Sequence, residues 1–286
     1  MKYAGVGMKS FLASKQFFWQ ADLFTFTLRD TSVYRWTTTD APITAGGFVW
    51  FAIGPILTRT GWSMKNTMQV PTMTLKLNSD GQDFQTVGGS FVNIKHAMHN
   101  GLLDNAKVLL QRAIMPTFGD TSLGLVDLFS ASVSGITINA LGADITLKGG
   151  SSILQQYMPR NLYQLGCVHA LYDTGCTLLR TTFQSSNTVS ASELTSVGLT
   201  TAVDPALYER GTVLFTSGPA TGSKRTVVSA TANSLSFAYP LYDAPSVGDT
   251  VVLTRGCART RAACGTFGNI QHFRGFPYIP PVETAF

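Results

Sequence analysis

The residues of this sequence best suited to chemistry are its four cysteines, which fall into two pairs. Cys167 and Cys176 are separated by eight residues in YQLGCVHALYDTGC, and Cys257 and Cys264 by six in TRGCARTRAAC. Four thiolates are the ligand set of a structural zinc ion or of an iron–sulfur cluster. Both spacings exceed the roughly two to four residues typical of zinc fingers, which weakens zinc. Buried free thiols and two disulfides remain alternatives, although a reducing cytoplasm argues against disulfides.

Arginines accompany both cysteine pairs. Arg180 follows the first pair, and Arg255, Arg259 and Arg261 surround the second. A four-iron cluster held by four thiolates carries about two net negative charges, and burying it without cations costs several kcal/mol. We therefore expect these arginines to compensate a cluster; a solvated basic turn is the alternative. A glycine adjoins each cysteine, which predicts close approach of backbone amides to sulfur: Gly166, Gly175, Gly256 and Gly265.

Motifs typical of catalysis are missing from the sequence. The segment 218–224 resembles a phosphate-binding loop, but a serine separates its last glycine from the lysine, so we predict a hairpin turn. His96 and His99 would share one face of a helix, yet no glutamate lies between them, which favours a surface or packing role. No nucleophile elbow or dinucleotide-binding fingerprint is present. Three isolated carboxylates are assigned to turns and helix caps: Asp22, Asp104 and Asp173.

Composition limits the classes of function. The chain has 286 residues, of which 44% are hydrophobic and only 13% charged, with a net charge of +5 and a pI near 9.1. A surface so poor in charge is suited to contact with other proteins, and the length allows two or three domains. The lysines and arginines are scattered rather than gathered in a stripe, so we expect no specific nucleic-acid binding.

The sequence also lacks signals for export or membrane insertion. Residues 1–20 carry three lysines and no continuous apolar core, unlike a signal peptide. No apolar run approaches the roughly 18 residues that a membrane span requires. We expect a soluble protein that is made in a reducing cytoplasm and does not insert into a membrane.

Alternating apolar and polar residues predict a mainly β fold. Before residue 150, strands are predicted at Asp22–Arg29, Gly47–Ile53, Gln69–Asn78, Leu125–Ser130 and Ile136–Leu147. Helices are predicted only at Gly7–Ser14, Phe91–His99 and Ser151–Gln156. Residues 181–250 are rich in serine and threonine and predict a β-rich insertion, with strands at 212–216, 225–228 and 235–237. This insertion separates the cysteine pairs by about 80 residues, so a shared metal centre would close a long loop.

The second cysteine pair lies in GCARTRAACGTFGNIQHFRGFPYIP, which resembles the C-terminal signature of phage tail-hub proteins. That family includes the tail-tip protein L of lambda-like phages and the hub protein of bacterial gene transfer agents. YQLGCVHALYDTGC is similar to the upstream cysteine motif of the same family. A looser likeness runs through LNSDGQDF and NGLLDNAKVLLQRAIMP, so the resemblance covers most of the chain.

The resemblance implies a structural protein of the virion tail tip in a long-tailed, non-contractile phage (a siphophage), and not an enzyme. A homotrimer would form a baseplate hub that joins the distal tail ring to the central receptor-binding fibre, after assembly in the host cytoplasm. Residues 1–160 would form two hub β-barrel domains, and residues 161–286 a four-cysteine iron–sulfur domain. Cys167, Cys176, Cys257 and Cys264 would bind an iron–sulfur cluster of the 4Fe-4S type.

Two other classes of function remain open from the residues. A metal-dependent or redox enzyme of the tail tip would use a cluster to carry electrons, although no set of acid, base and nucleophile supports it. A metal-free protein-binding module would leave the thiols without a ligand. Symmetry adds one expectation to the hub interpretation: a trimer with two similar barrels in each copy would match both a six-fold ring and a three-fold fibre.

Overall fold

Strands dominate the computed structural model, and its helices are few and short. This confirms the mainly β fold class. The structure describes residues 6–14, 17–52, 56–62, 69–78, 83–85, 91–139, 142–155 and 163–279. The chain divides into two compact units, Met1–Gln156 and Tyr157–Phe286. Within the described ranges, no helix is both long and apolar enough to cross a membrane.

The first unit is built mainly from antiparallel strands. Its helices are α1 (Val6–Ser14) and α2 (Ile94–His99). Its strands are β1 (Trp19–Thr27), β2 (Val33–Thr37), β3 (Ile43–Ala45), β4 (Phe48–Trp50), β5 (Ile56–Arg59), β6 (Thr72–Asn78), β7 (Asp83–Gln85), β8 (Phe91–Asn93), β9 (Lys107–Met115), β10 (Leu125–Asn139) and β11 (Gly142–Gly149). Seven of them form one sheet in the order β2-β1-β9-β10-β11-β6-β5, and the pairs β3–β4 and β7–β8 form separate two-stranded sheets.

Side-chain alternation decides what each face of this sheet buries. In β1, Phe24 and Phe26 are fully buried in the main core of the unit. Leu23 points to the opposite face, where it packs in a second cluster with Ile43 and Trp50 of the β3–β4 pair. Successive side chains of a strand project to opposite faces, so one strand serves two apolar clusters.

The sheet is strongly curved. The Asp22 carboxylate in β1 accepts a hydrogen bond from Arg112 Nε of the adjacent β9 at 2.8 Å and another from Arg59 Nε of β5 at 2.6 Å. Since β5 is an edge strand and β1 lies next to the other edge, the sheet must curl for both ion pairs to form. Two irregularities in β10, at 127–129 and 133–135, assist the bending. Among the described strands of this unit, seven form one curved sheet. The closure of residues 1–160 into two β-barrels stays a prediction.

The second unit contains a closed six-stranded barrel. Its strands are β12 (Gln184–Ser192), β13 (Ser196–Leu199), β14 (Thr212–Phe215), β15 (Lys224–Ala230), β16 (Ser234–Phe237) and β17 (Thr250–Thr254). Helix α3 (Pro205–Tyr208) lies between β13 and β14, and helix α4 (Arg261–Thr266) follows the barrel. The three strands predicted within 181–250 are confirmed as β14, β15 and β16.

The barrel itself brings together the two ends of the insertion. Its first strand pairs with its last, with Gln184 opposite Thr254. Inward-facing residues such as Val213, Phe215 and Leu253 are fully buried. Closure of this long loop was expected from a shared metal centre, but the β12–β17 ladder already supplies it, because a closed barrel returns to its first strand.

The predicted helices have mixed outcomes. The helix predicted at 7–14 is confirmed as α1. The helix predicted at 91–99 begins only at Ile94, because the side chain of Asn93 accepts hydrogen bonds from the next turn and caps the helix there. Residues 91–93 before the cap are the strand β8. The helix predicted at 151–156 is a 3-10 turn over Gly150–Gln155.

Candidate functional site

The four cysteines lie in the two segments that flank the barrel, residues 163–183 and 255–279, which we call the cysteine loops. All four thiols are partly buried and free of disulfides. Burial raises the pKa of the Cys264 thiol, and Cys167, Cys257 and Cys176 raise it further, because nearby thiolates oppose its ionisation. The other three thiols therefore lie within electrostatic range of Cys264. In the described part of the chain, no three or more Cys, His, Asp and Glu side chains form a group that could hold a metal ion.

Backbone hydrogen bonds join one cysteine loop to the other. The Cys167 amide donates to the Arg259 carbonyl at 2.8 Å. The Arg274 amide donates to Cys167 Sγ at 3.4 Å, and the Val168 amide donates to the Arg274 carbonyl at the same distance. Cys167 is thus bonded to two separate stretches of the second loop.

Cys176 is positioned by an aspartate turn. Asp173 Oδ1 accepts from the Cys176 amide at 2.6 Å, and Asp173 Oδ2 accepts from the Ala170 amide at 2.9 Å. The hydrogen bond from Cys176 is the main cause of the lowered pKa of Asp173, because it stabilises the charged carboxylate. The turn role that the sequence analysis assigned to Asp173 is confirmed.

Asn269 links the two cysteine pairs and was not among the predicted site residues. Its side chain is buried, and Nδ2 donates to the Cys176 carbonyl at 2.5 Å and lies 3.7 Å from Cys176 Sγ. Its carbonyl accepts from the Cys264 thiol at 3.1 Å. The sequence indicates this role only through the position of the asparagine in GTFGN, among glycine and aromatic residues. That composition is also typical of an exposed turn.

The second pair lies around the short helix α4. Thr260 caps this helix by accepting a hydrogen bond from the Ala263 amide at 3.1 Å, and Cys264 lies within the helix. Cys257 Sγ accepts from the Arg259 amide at 3.3 Å. Backbone amides thus approach two of the sulfurs, as expected, and among the described residues these amides belong to Arg259 and Arg274.

Gly256 is needed for a different reason. A Cβ at this position would lie 2.0 Å from the Glu209 carbonyl oxygen and 2.4 Å from the Gly211 amide nitrogen. Both are backbone atoms and cannot move aside without shifting the chain. Gly256 therefore lets the second cysteine loop leave the barrel against the segment that follows α3.

Among the described residues, the side chains of the predicted arginines donate no hydrogen bond to sulfur, although the backbone amide of Arg259 does. Arg180 lies over the Tyr172 ring, with Cζ 5.7 Å from its centroid, and Arg255 over Phe183 at 5.9 Å. Burial raises the pKa of Tyr172 to about 12, although both guanidinium charges act to lower it. Arg261 Nη1 instead donates to the Tyr278 hydroxyl at 3.0 Å.

The cysteine loops lack an apolar core of their own. Among their described residues no hydrophobic side chain is buried, whereas the polar side chain of Asn269 is. Segments of this size without a hydrophobic core are usually stabilised by disulfides or a bound metal. The four cysteines are the residues in these loops that could provide such a cross-link.

The other candidate motifs have structural roles. Residues 218–224 connect the antiparallel strands β14 and β15, which confirms the predicted hairpin turn. His96, in α2 of the first unit, contacts Asn100 through Nε2 at 2.9 Å. Asp22, which was expected in a turn or helix cap, lies instead within β1, where it forms ion pairs with Arg59 and Arg112 of the curved sheet.

Comparisons with known proteins identify the family. Residues 206–283 match the family described as phage conserved hypothetical protein BR0599. A chain of the solved structure described as the virion of a native gene transfer agent particle has the same fold, with a TM-score of 0.71 over 98% of this chain and 94% of that chain, at 18% identity. No curated protein matches the sequence. Residues 6–179, more than half of the chain, match the family described as baseplate hub protein, N-terminal attachment domain. The chain therefore belongs to the phage baseplate hub protein family.

Proposed function

We propose that this chain is the tail-tip hub of a long-tailed, non-contractile phage, where a homotrimer joins the distal tail ring to the central receptor-binding fibre. The match of residues 6–179 to a family named for a hub and for attachment carries the proposal. The fold shared with a chain of a gene transfer agent virion supports a place in the particle. Its partners are other phage tail proteins, and its assembly takes place in the host cytoplasm.

Cryo-electron microscopy of assembled tails tests this proposal directly. We expect a trimer of the chain between the distal ring and the central fibre, with contacts to both. A hexamer, or a position away from the tail tip, would contradict it. A phage lacking the gene, complemented with the native chain, provides the reference particle.

We further propose that Cys167, Cys176, Cys257 and Cys264 together bind one iron–sulfur cluster of the 4Fe-4S type. The donor set fits such a group, since the other three thiols lie within electrostatic range of Cys264 and three of the sulfurs lie near N–H donors. A cubane is larger than one ion, so its thiolates stand further apart than the ligands of a zinc ion. That difference is compatible with four cysteines that do not converge on a single point.

The role that we assign to this cluster is structural. When bound, it supplies iron–thiolate bonds that cross-link the cysteine loops. This chain's own residues shape the site: Asp173 orients the Cys176 turn, Thr260 caps the helix that carries Cys264, and Asn269 spans both pairs.

Visible absorption of freshly purified, anaerobic protein separates the three ligand states. An iron–sulfur protein is brown, whereas zinc and free thiols do not colour a protein. We expect a coloured protein with about four irons per chain. A colourless protein with stoichiometric zinc, or one with no metal, would refute the cluster and leave the hub assignment intact.

A further inference from the structure

A basic cleft of about 560 Å³ lies in the second unit, beside Cys257. Its described lining contains no aspartate or glutamate. Four arginines contribute to it: Arg180, Arg210, Arg255 and Arg259. Residues that carry hydroxyl groups also line the cleft: Tyr172, Thr212, Thr226 and Thr254.

The charges in this cleft are not neutralised by carboxylates. Within the ranges that the structure describes, none of the four arginines forms an ion pair with an aspartate or glutamate. Arg180 and Arg255 lie over aromatic rings, and Arg210 Nη1 donates to the Ala258 carbonyl at 3.3 Å. Like charges around a concave surface produce a positive potential. The cluster proposed at Cys257 would offset about two of the four arginine charges, and a bound anion would relieve the rest.

Backbone conformation adds an independent observation. Six described non-glycine residues have positive φ, and three of them line this cleft: Tyr172 at 65°, Arg210 at 60° and Arg259 at 60°. Side chains larger than asparagine rarely adopt this left-handed conformation. Strained backbone of this kind is concentrated at binding sites. Glycine would adopt the same conformation without strain, but it has no side chain to contribute to the site.

We propose that this cleft binds a compact, multiply charged oxyanion, such as a polyphosphate or a small polycarboxylate. Guanidinium groups pair with phosphate and carboxylate oxygens through two parallel hydrogen bonds, and the threonine hydroxyls can donate others. The volume falls within the range of small-molecule sites, about 300 to 1,000 Å³. A cleft bounded on several sides suits a compact anion better than an extended strand of nucleic acid, which follows a basic stripe.

Calorimetric titration of the full-length protein with inorganic triphosphate, and separately with citrate, tests this proposal. The diagnostic variant is Arg210→Gly, because glycine tolerates a φ of 60° and the variant should melt no lower than the native protein. We expect affinity for the preferred anion to fall at least about tenfold. Arg29→Gln, in the first unit, removes the same charge and should leave binding unchanged.

The two titrations also identify the source of the oxyanion. Tighter binding of triphosphate indicates a phosphate ligand, and tighter binding of citrate a carboxylate ligand; either supports the proposal if Arg210→Gly weakens it. Failure of both anions to bind the native protein, or an equal effect of Arg210→Gly and Arg29→Gln, would overturn it. Arg210→Gly should retain native iron content, so failure here is separate from failure of the cluster proposal.

Discussion

The barrel and the cysteine loops of the second unit are stabilised in different ways. The barrel, residues 184–254, closes its own strand ladder and buries a continuous apolar core that includes Val213, Phe215 and Leu253. The cysteine loops are irregular, contain only short helical turns and bury no hydrophobic side chain among their described residues. Hydrophobic burial can therefore explain the order of the barrel but not that of the loops.

This difference implies a one-way dependence between the two regions. The barrel places residue 184 opposite residue 254, so the loops leave it side by side. If a cluster cross-links the loops, its loss should release them and spare the barrel. Unfolding of the barrel should release the loops and the cluster together.

Cys257→Ser is expected to have the largest effect on the loops. It removes one thiolate of four, so we predict loss of iron, disorder of both cysteine loops and tails that stall in assembly or fail to infect. Metal analysis and hydrogen exchange measure the first two effects, and plaque assays the third. Ala258→Ser adds a hydroxyl to the same loop without removing a thiol and should behave like the native protein.

Full iron and normal infectivity in Cys257→Ser would refute the cluster site. Iron loss with normal assembly would leave the site in place but contradict its structural role. In that case a redox or triggering role would become the better explanation.

Phe215→Ala tests whether the cysteine loops depend on the barrel. Removal of this fully buried ring should lower the free energy of barrel unfolding by about 3–5 kcal/mol. Because the barrel holds the loops together, iron should be lost in the same denaturant transition. Val228→Ala changes an exposed barrel residue and serves as the control. Release of iron well before the variant barrel unfolds would contradict the expected order.

Asp22→Asn extends the comparison to the curved sheet of the first unit. The substitution removes the charge that holds Arg59 and Arg112, and the side chain of Asp22 is 12% exposed. We expect a loss of about 1.5–3 kcal/mol in the stability of the first unit, with native iron content in the second. Chemical denaturation measures the loss, and Asp127→Asn, which changes an exposed carboxylate, should cost little. A change in iron content would show that the units are coupled.

Asn269→Asp should have the smallest effect of the series. It keeps the shape of the side chain but removes the donor to the Cys176 carbonyl and adds a negative charge beside the thiols. We expect the loops to lose about 1–3 kcal/mol and to release iron to a chelator faster than the native protein. Asn233→Asp, in an exposed barrel turn, is the matched control. Equal rates of iron release in both variants would show that Asn269 does not stabilise the site.

Local patterns predicted the strands better than their assembly. The alternation of apolar and polar residues predicted β1, β14, β15 and β16, because a strand that buries every second side chain shows this period in its sequence. Whether the N-terminal strands close into barrels depends on pairing between distant segments. The ion pairs of Asp22 with Arg59 and Arg112 illustrate this, since they span 37 and 90 residues of sequence.

The candidate site was predicted only in part for the same reason. The cysteines were evident from their type and number, and Asp173 from its place in a turn. Asn269 and the positions of the arginine side chains depend on how two loops pack after the barrel has formed. No local pattern distinguishes a buried bridging asparagine from one in an exposed turn.

Hydrogen exchange of anaerobically purified protein, before and after removal of iron, tests the central claim most directly. We predict that iron removal increases exchange in residues 163–183 and 255–279, while the strands of the barrel keep their protection. Unchanged exchange in the cysteine loops, or equal loss of protection in the barrel, would contradict the claim that a cluster stabilises what the apolar core does not.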